Sequence, residues 1–254
     1  MIRFVYIFFF LGFAVSCANG GKSPGTAVPA EFPDRMVEVG DSLLLGEGGV
    51  WEMSPAERKM KQAGFVDIAE QDTGIRVQLK YATPDNFTGK LLYKGIKRAF
   101  MHPLTAAKLT DAQKRLNILR PGWHILVYDA ARPMSVQLEM WEEVKGTKNS
   151  IFVSNPAKGG GLHNYGMAVD VSLVDAFGKC PDMGTSFDYF GEEARTDREE
   201  KMVSEGKISR EALQNRKLLR KVMTEAGFIP LKSEWWHFNT LSRQEVVGKW
   251  PLIK

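Results

Sequence analysis

Four histidines occur in this 254-residue chain, and two of them stand close to carboxylates. His163-Asn164-Tyr165-Gly166-Met167-Ala168-Val169-Asp170 places an imidazole before a glycine turn and a carboxylate on the segment that follows. Glu234-Trp235-Trp236-His237 places a second carboxylate three residues ahead of another imidazole. Two imidazoles and one carboxylate, with a fourth position open to water, form a ligand set for a catalytic zinc ion. Such an ion brings the pKa of its water to about 7. Glu234 is then the natural acceptor for a proton from that water and the donor to a leaving amine. Arg132, on a turn fixed by Pro133, carries a permanent charge suited to a carbonyl oxygen that becomes negative. The same residues also have plainer readings. A His–Asp pair is commonly a satisfied hydrogen bond, and Arg132 can serve as ion-pair partner to Asp129. Residues three apart on a regular strand face opposite sides, so Glu234 and His237 need a kink to share a site. Residue types alone leave the choice open.

Several elements must position these groups. Residues 167–173 alternate: Met167, Val169, Val171 and Leu173 point to one side, and Ala168, Asp170 and Ser172 to the other. The first face packs a core; the second is small and polar and leaves Asp170 facing open space. Residues 123–128 read as a strand leading to Asp129 and Arg132, and residues 75–79 as a further strand. Residues 228–238 form a strand-like segment that carries Glu234 and His237. Residues 81–89 and 158–161 have loop chemistry, and the second loop delivers His163. Ser54 and Pro55 open a helix that Gly64 stops. Pro103–Leu119, residues 135–144 and residues 209–226 are predicted helices, the last capped by Ser209 and ended by Gly227. Helices interspersed with hairpin-like strands, without regular βαβ alternation, predict an α+β single domain whose mixed or antiparallel sheet is flanked by helices.

The pattern H-x-x-G-x-A-x-D at His163, Gly166, Ala168 and Asp170, followed far downstream by EWWH, resembles D-alanyl-D-alanine dipeptidases of the VanX type. These are relatives of zinc D,D-carboxypeptidases and share the hedgehog fold. Leu79-Lys80-Tyr81-Ala82-Thr83, Asn86-Phe87-Thr88-Gly89, Tyr128-Asp129-Ala130 with Arg132-Pro133, Met183-Gly184 and Phe187-Asp188 extend the likeness, in order, across residues 79–238. The resemblance implies one zinc ion per chain on His163, Asp170 and His237, with Glu234 as general base and Arg132 stabilising the transition state. It implies that Asp188 lies where the family binds the substrate's free amino terminus; read alone, Asp188 is an exposed loop carboxylate. A partly buried carboxylate left unpaired by an acylated amine costs several kcal/mol, on the order of what excludes longer peptides. Gly161 departs from the pattern, since family members often carry a small hydroxyl residue there. The implied activity is hydrolysis of D-alanyl-D-alanine or similar dipeptides to free amino acids, linked to peptidoglycan turnover. The rivals are a zinc D,D- or L,D-carboxypeptidase acting on longer muropeptides and a non-catalytic cell-wall-binding lipoprotein.

A chain that is 44% hydrophobic and 25% charged has ordinary globular composition, enough for one domain with a real core. Its net charge of +4 comes from scattered lysines and arginines, which argues against a nucleic-acid partner. Residues 1–17 read as an address: Arg3 precedes an apolar run of about 12 residues, where a membrane span needs about 20. Ala14-Val15-Ser16-Cys17 resembles a bacterial lipobox, whose Cys becomes the lipidated first residue. Residues 18–30 then form a flexible tether, and residues 31–254 the dipeptidase domain. The expected product is an exported periplasmic or cell-envelope lipoprotein, held on a membrane surface through Cys17 and acting on a small dipeptide. Cys180 is left alone, with no intramolecular disulfide and no role as a fourth ligand. His102 and His124 read as plain loop and strand residues. Trp235 and Trp236 read as pocket wall or core.

Overall fold

A computed structural model of the protein describes residues 52–254. The leader, the tether and the first part of the 31–254 stretch lie outside the described residues. The described chain opens with α1 (Pro55–Gln62), where Ser54 and Glu57 cap each other reciprocally. Short elements follow: β1 (Val66–Asp67), α2 (Ile68–Gln71), β2 (Arg76–Val77) and β3 (Phe100–Met101). Next come α3 (Pro103–Leu119), β4 (His124–Asp129), α4 (Met134–Val144) and β5 (Ala168–Val174). The chain ends through α5 (Glu199–Ser204), α6 (Arg210–Glu225), β6 (Ile229–Pro230), β7 (His237–Asn239) and α7 (Arg243–Val246).

The main sheet has five strands in the order β2-β4-β5-β7-β6; β1 and β3 pair separately. β2 runs parallel to β4, and every other neighbour is antiparallel, so the sheet is mixed as expected. α3 packs on α6 and on β4. Leu109, Ala112 and Leu116 of α3 are buried, as are Leu219, Val222 and Met223 of α6. The predicted helix ends hold because their caps are local: Ser209 Oγ accepts from Ala212 N at 2.9 Å, and Gly227 follows α6 with φ +86°.

Three expectations need correction. The second face of β5 is covered rather than open, and Asp170 is only 3% exposed. Tyr128 lies beside Ser172 on that face, Phe187 packs on Tyr128, and Trp236 packs edge-on against Phe187. The two outer strands are shorter than predicted. Residue 79 ends β2's segment by starting the 3-10 turn Lys80–Ala82, and residues 231–236 leave the ladder between β6 and β7. His102 is an N-cap rather than a plain loop residue: its Nδ1 accepts from Leu104 N at 3.1 Å and starts α3.

Candidate metal centre

His163 lies in a 3-10 turn, Leu162–Tyr165, that closes at Gly166 with φ +64°. That conformation suits glycine, and space demands it too. A Cβ at 166 would overlap the Phe65 ring and sit 3.0 Å from the backbone nitrogen of His102. The tight turn then feeds β5, which carries Asp170. Across the sheet, Asp170 is the register partner of Asp129 on one side and of His237 on the other. Cross-strand partners share a face, so two carboxylates and an imidazole form a row, and the turn adds the second imidazole beside it.

The ligand atoms converge. His237 Nδ1 lies 2.9 Å from Asp170 Oδ1, His163 Nε2 lies 3.3 Å from the same oxygen, and the two ring nitrogens are 3.2 Å apart. Each ring is engaged at its other nitrogen. His163 Nδ1 lies 2.8 Å from the carbonyl of Ala130, and His237 Nε2 lies 2.8 Å from Asn239 Oδ1. Both of those oxygens can only accept, so the ring protons point outward and the two lone pairs point inward. Three acceptors therefore face one another with no proton between them, an arrangement that calls for a cation. Tetrahedral zinc with bonds of about 2.0–2.1 Å sets its ligand atoms about 3.3 Å apart, so the donor set fits that ion. No other group of three potential ligand residues meets among the described residues. Burial would raise the Asp170 carboxyl, but His163 and His237 outweigh it and hold it well below the usual range.

The remaining predicted residues come to the same place. Arg132, His163, Asp170, Asp188, Glu234 and His237 all line one cavity of about 300 Å³. The departure of residues 231–236 from the ladder is the kink that lets Glu234 share a site with His237. Burial, reinforced by Asp170 and Asp188 and offset by His237 and Arg132, pushes the Glu234 carboxyl to about 7. A carboxyl there can both take and return a proton at neutral pH. Arg132 is the ion-pair partner of Asp129 and also borders the ligand set. Its Nε donates to Asp129 Oδ2 at 3.0 Å, Nη2 donates to the same oxygen, and Nη1 donates to Gln137 Oε1 at 2.9 Å. Nη2 also lies 3.9 Å from Asp170 Oδ2, which puts the guanidinium at the edge of the ligand set. Its backbone is fixed to the His163 turn, with Arg132 N bonded to His163 O at 3.0 Å.

Asp188 is not the exposed loop carboxylate that its sequence context alone indicates. It accepts from Tyr81 Oη at 3.1 Å and from Phe87 N at 3.4 Å. Among the described residues it is the one non-glycine residue with positive φ, at 60°. Burial first, and the Asp170 charge second, push its carboxyl up to about 8, with Arg132 acting in the opposite sense. Three contributors escaped the sequence reading: Tyr81, the Ala130 carbonyl, and Asn239. Asn239 was accessible to it, because residues i and i+2 of a strand share a face. At Gly161, a Cβ would meet Ser154 Oγ at 3.0 Å, so a neighbouring loop brings a hydroxyl to that part of the wall. Trp236 lines the cavity, and Trp235 packs behind it, donating to Thr185 Oγ1 at 2.8 Å. His124 lies apart, its Nδ1 2.7 Å from the Gly74 carbonyl.

Residues 61–248 match the profile of Peptidase_M15, described as D-ala-D-ala dipeptidase. The chain is similar to the D-alanyl-D-alanine dipeptidase of Escherichia coli (strain K12), 32% identical over 176 residues, covering 69% of this chain and 83% of that protein. The D-alanyl-D-alanine dipeptidase of Enterococcus faecalis (strain ATCC 700802 / V583) is 29% identical over 195 residues, covering 70% and 92%. That of Enterococcus faecium is 30% identical over 193 residues, covering 70% and 91%. With a ligand triad, a carboxyl poised near neutrality and a buried aspartate in one cavity, and a profile match across most of its length, the chain belongs to the Peptidase_M15 family of D-Ala-D-Ala dipeptidases.

Proposed function

We propose that the protein is a zinc dipeptidase that hydrolyses D-alanyl-D-alanine or a similar dipeptide to free amino acids. One observation carries the reading: three inward-facing acceptors, on His163, Asp170 and His237, meet in a cavity that also holds Glu234 and Asp188. Those three side chains would hold the ion, which when bound supplies Lewis acidity at the scissile carbonyl and acidifies a water toward pKa about 7. The chain's own residues do the rest. Asp188 pairs with the substrate's ammonium, a charge partner that the neutral nitrogen of an acylated amine does not supply. Glu234 accepts the proton of the attacking water and passes it to the leaving amine. Arg132, held rigid by Asp129 and Gln137, meets the negative charge growing on the carbonyl oxygen.

The test is Glu234→Ala in the zinc-loaded protein. Metal content stays at one equivalent while D-Ala-D-Ala turnover falls by at least about 100-fold. Undiminished turnover would remove Glu234 as the base, and a zinc-loaded parent with no turnover would leave a wall-binding protein as the better reading. A preference for N-acylated over free dipeptides would favour a carboxypeptidase of longer muropeptides.

The reading includes export. The apolar run behind Arg3 supports it. Lipid anchoring at Cys17 is the narrower proposal. With two cysteines in the sequence, a lipid thioether at Cys17 and an intramolecular disulfide at Cys180 exclude each other. Mass spectrometry of membrane-extracted protein decides: a diacylglyceryl group on Cys17 supports the anchor, and a Cys17–Cys180 peptide pair overturns it. Because D-Ala-D-Ala precursor is made in the cytoplasm, an exported enzyme fits recycling of wall-derived dipeptides.

A further inference from the structure

Asp188 stands in an irregular segment, residues 183–191, and holds a backbone conformation (φ 60°) that a non-glycine residue keeps only when its surroundings impose it. One side chain grips the segment at both ends. Arg216, on α6, donates from Nε to the carbonyl of Met183 at 2.6 Å and from Nη1 to the carbonyl of Glu193 at 2.8 Å. Those two carbonyls lie five residues before and five residues after Asp188. The guanidinium is fully buried, its centre lies 5.7 Å from the Trp235 ring, and Trp235 in turn bonds to Thr185 of the same segment.

The arrangement is poor as packing. The nearest carboxylate, Glu199, is 3.8 Å from Nη1 and is bound more closely by Arg220, at 2.7 Å. Nη2 is buried with no hydrogen-bond partner, 3.1 Å from where a Cβ on Gly184 would lie. A buried cation with an unmatched donor destabilises, and an apolar side chain of similar volume would pack there without that penalty. What the guanidinium contributes and an apolar chain cannot is a fixed distance between two carbonyls.

We infer that Arg216 is a positioning residue for amine recognition: by clamping the Met183 and Glu193 carbonyls it holds Asp188 at the angle that meets a substrate ammonium. The inference rests on the reading of Asp188 as the ammonium partner. It places a determinant of dipeptide specificity on a helix outside the cavity.

Arg216→Lys tests it, because lysine keeps the positive charge near Trp235 but cannot span both carbonyls. In the zinc-loaded full chain, KM for D-Ala-D-Ala rises about tenfold or more, while kcat changes by less than about threefold. Selectivity for the free over the N-acetylated dipeptide falls by a similar factor, and metal content is unchanged. In an Asp188→Asn background, Arg216→Lys adds no further change in KM. A variant that only melts earlier, with KM and selectivity at the parent values, overturns the inference. Should Arg216→Lys fail to fold, Thr185→Val loosens the same segment from the Trp235 side. A raised KM there supports the inference, and an unchanged one overturns it. Asp188→Asn alone separates the premise: if it leaves KM and selectivity intact, the ammonium reading of Asp188 fails. If it abolishes selectivity while Arg216→Lys does not, only the clamp fails.

Discussion

Zinc added to the chelator-treated protein should raise its thermal midpoint by several degrees, and Asp170 should be required for the effect. In the folded chain, His163 Nε2, His237 Nδ1 and Asp170 Oδ1 stand 2.9–3.3 Å apart. Unfolding disperses them, so the ion binds the native state and not the unfolded chain. At a free concentration one hundred times the dissociation constant, the linkage contributes about 2.7 kcal/mol. A unit of this size shifts by about 2–4 °C per kcal/mol, giving an expected rise of about 5–10 °C. Differential scanning calorimetry at pH 7.5, with and without zinc, reads it, and elemental analysis of the desalted protein should find one equivalent. Asp170→Asn should lose most of the shift. Acid should erode it. Burial lowers the pKa of His163 in the metal-free protein, but Asp170 and Asp129 outweigh burial and raise it, so protons compete for Nε2 as pH falls. No shift at pH 7.5, or an equal shift in Asp170→Asn, would refute the assignment of this triad as the metal site.

Two further outcomes are expected. In the metal-free, substrate-free protein, Asp188 is pushed up to about 8, so the folded chain keeps a proton that the unfolded chain, titrating near about 3.9, has released. Its contribution to stability is therefore full below about pH 4 and lost as pH rises through about 8; midpoints measured in chelator from pH 5 to 8.5 should fall more steeply for the parent than for Asp188→Asn, and parallel curves would contradict the shift. Gly166→Ala should destabilise by about 2–5 kcal/mol in denaturant titration, from about 1–2 for an L-residue in the left-handed region plus about 1–3 for overlap with Phe65; a loss under about 1 kcal/mol would mean that the turn relaxes and does not fix His163.

Much of this architecture was readable from residues close in sequence. Pro103–Leu119 has the predicted bounds because a proline at the first turn and the breakers Pro121 and Gly122 act locally. The alternation around Asp170 located β5 and sorted its faces. It could not show what lies over the polar face, because Tyr128, Phe187 and Trp236 arrive from three distant segments. Asp188 was opaque for the same reason: its partners Tyr81 and Phe87 lie about a hundred residues away in sequence. Only the family likeness carried it.

The ligand set itself depends on a register that no local motif encodes. Asp170 and His237 are 67 residues apart, and they meet because β5 and β7 pair Ala168 with Asn239, Val169 with Phe238 and Asp170 with His237. Strand partners alternate faces, so Val169 and Phe238 point away from the cavity while the other two pairs point toward it. Val169 and Phe238 are at most 1% exposed. A slip of one residue would turn Phe238 out of the core and carry His237 to the opposite face. The apolar pair therefore selects the one pairing that sets His237 opposite Asp170, and the same choice brings Asn239 to the face where it can hold the His237 proton outward. Metal site and core are thus specified together: the pattern that makes β7 a buried strand also makes its alternate residues a ligand and that ligand's support.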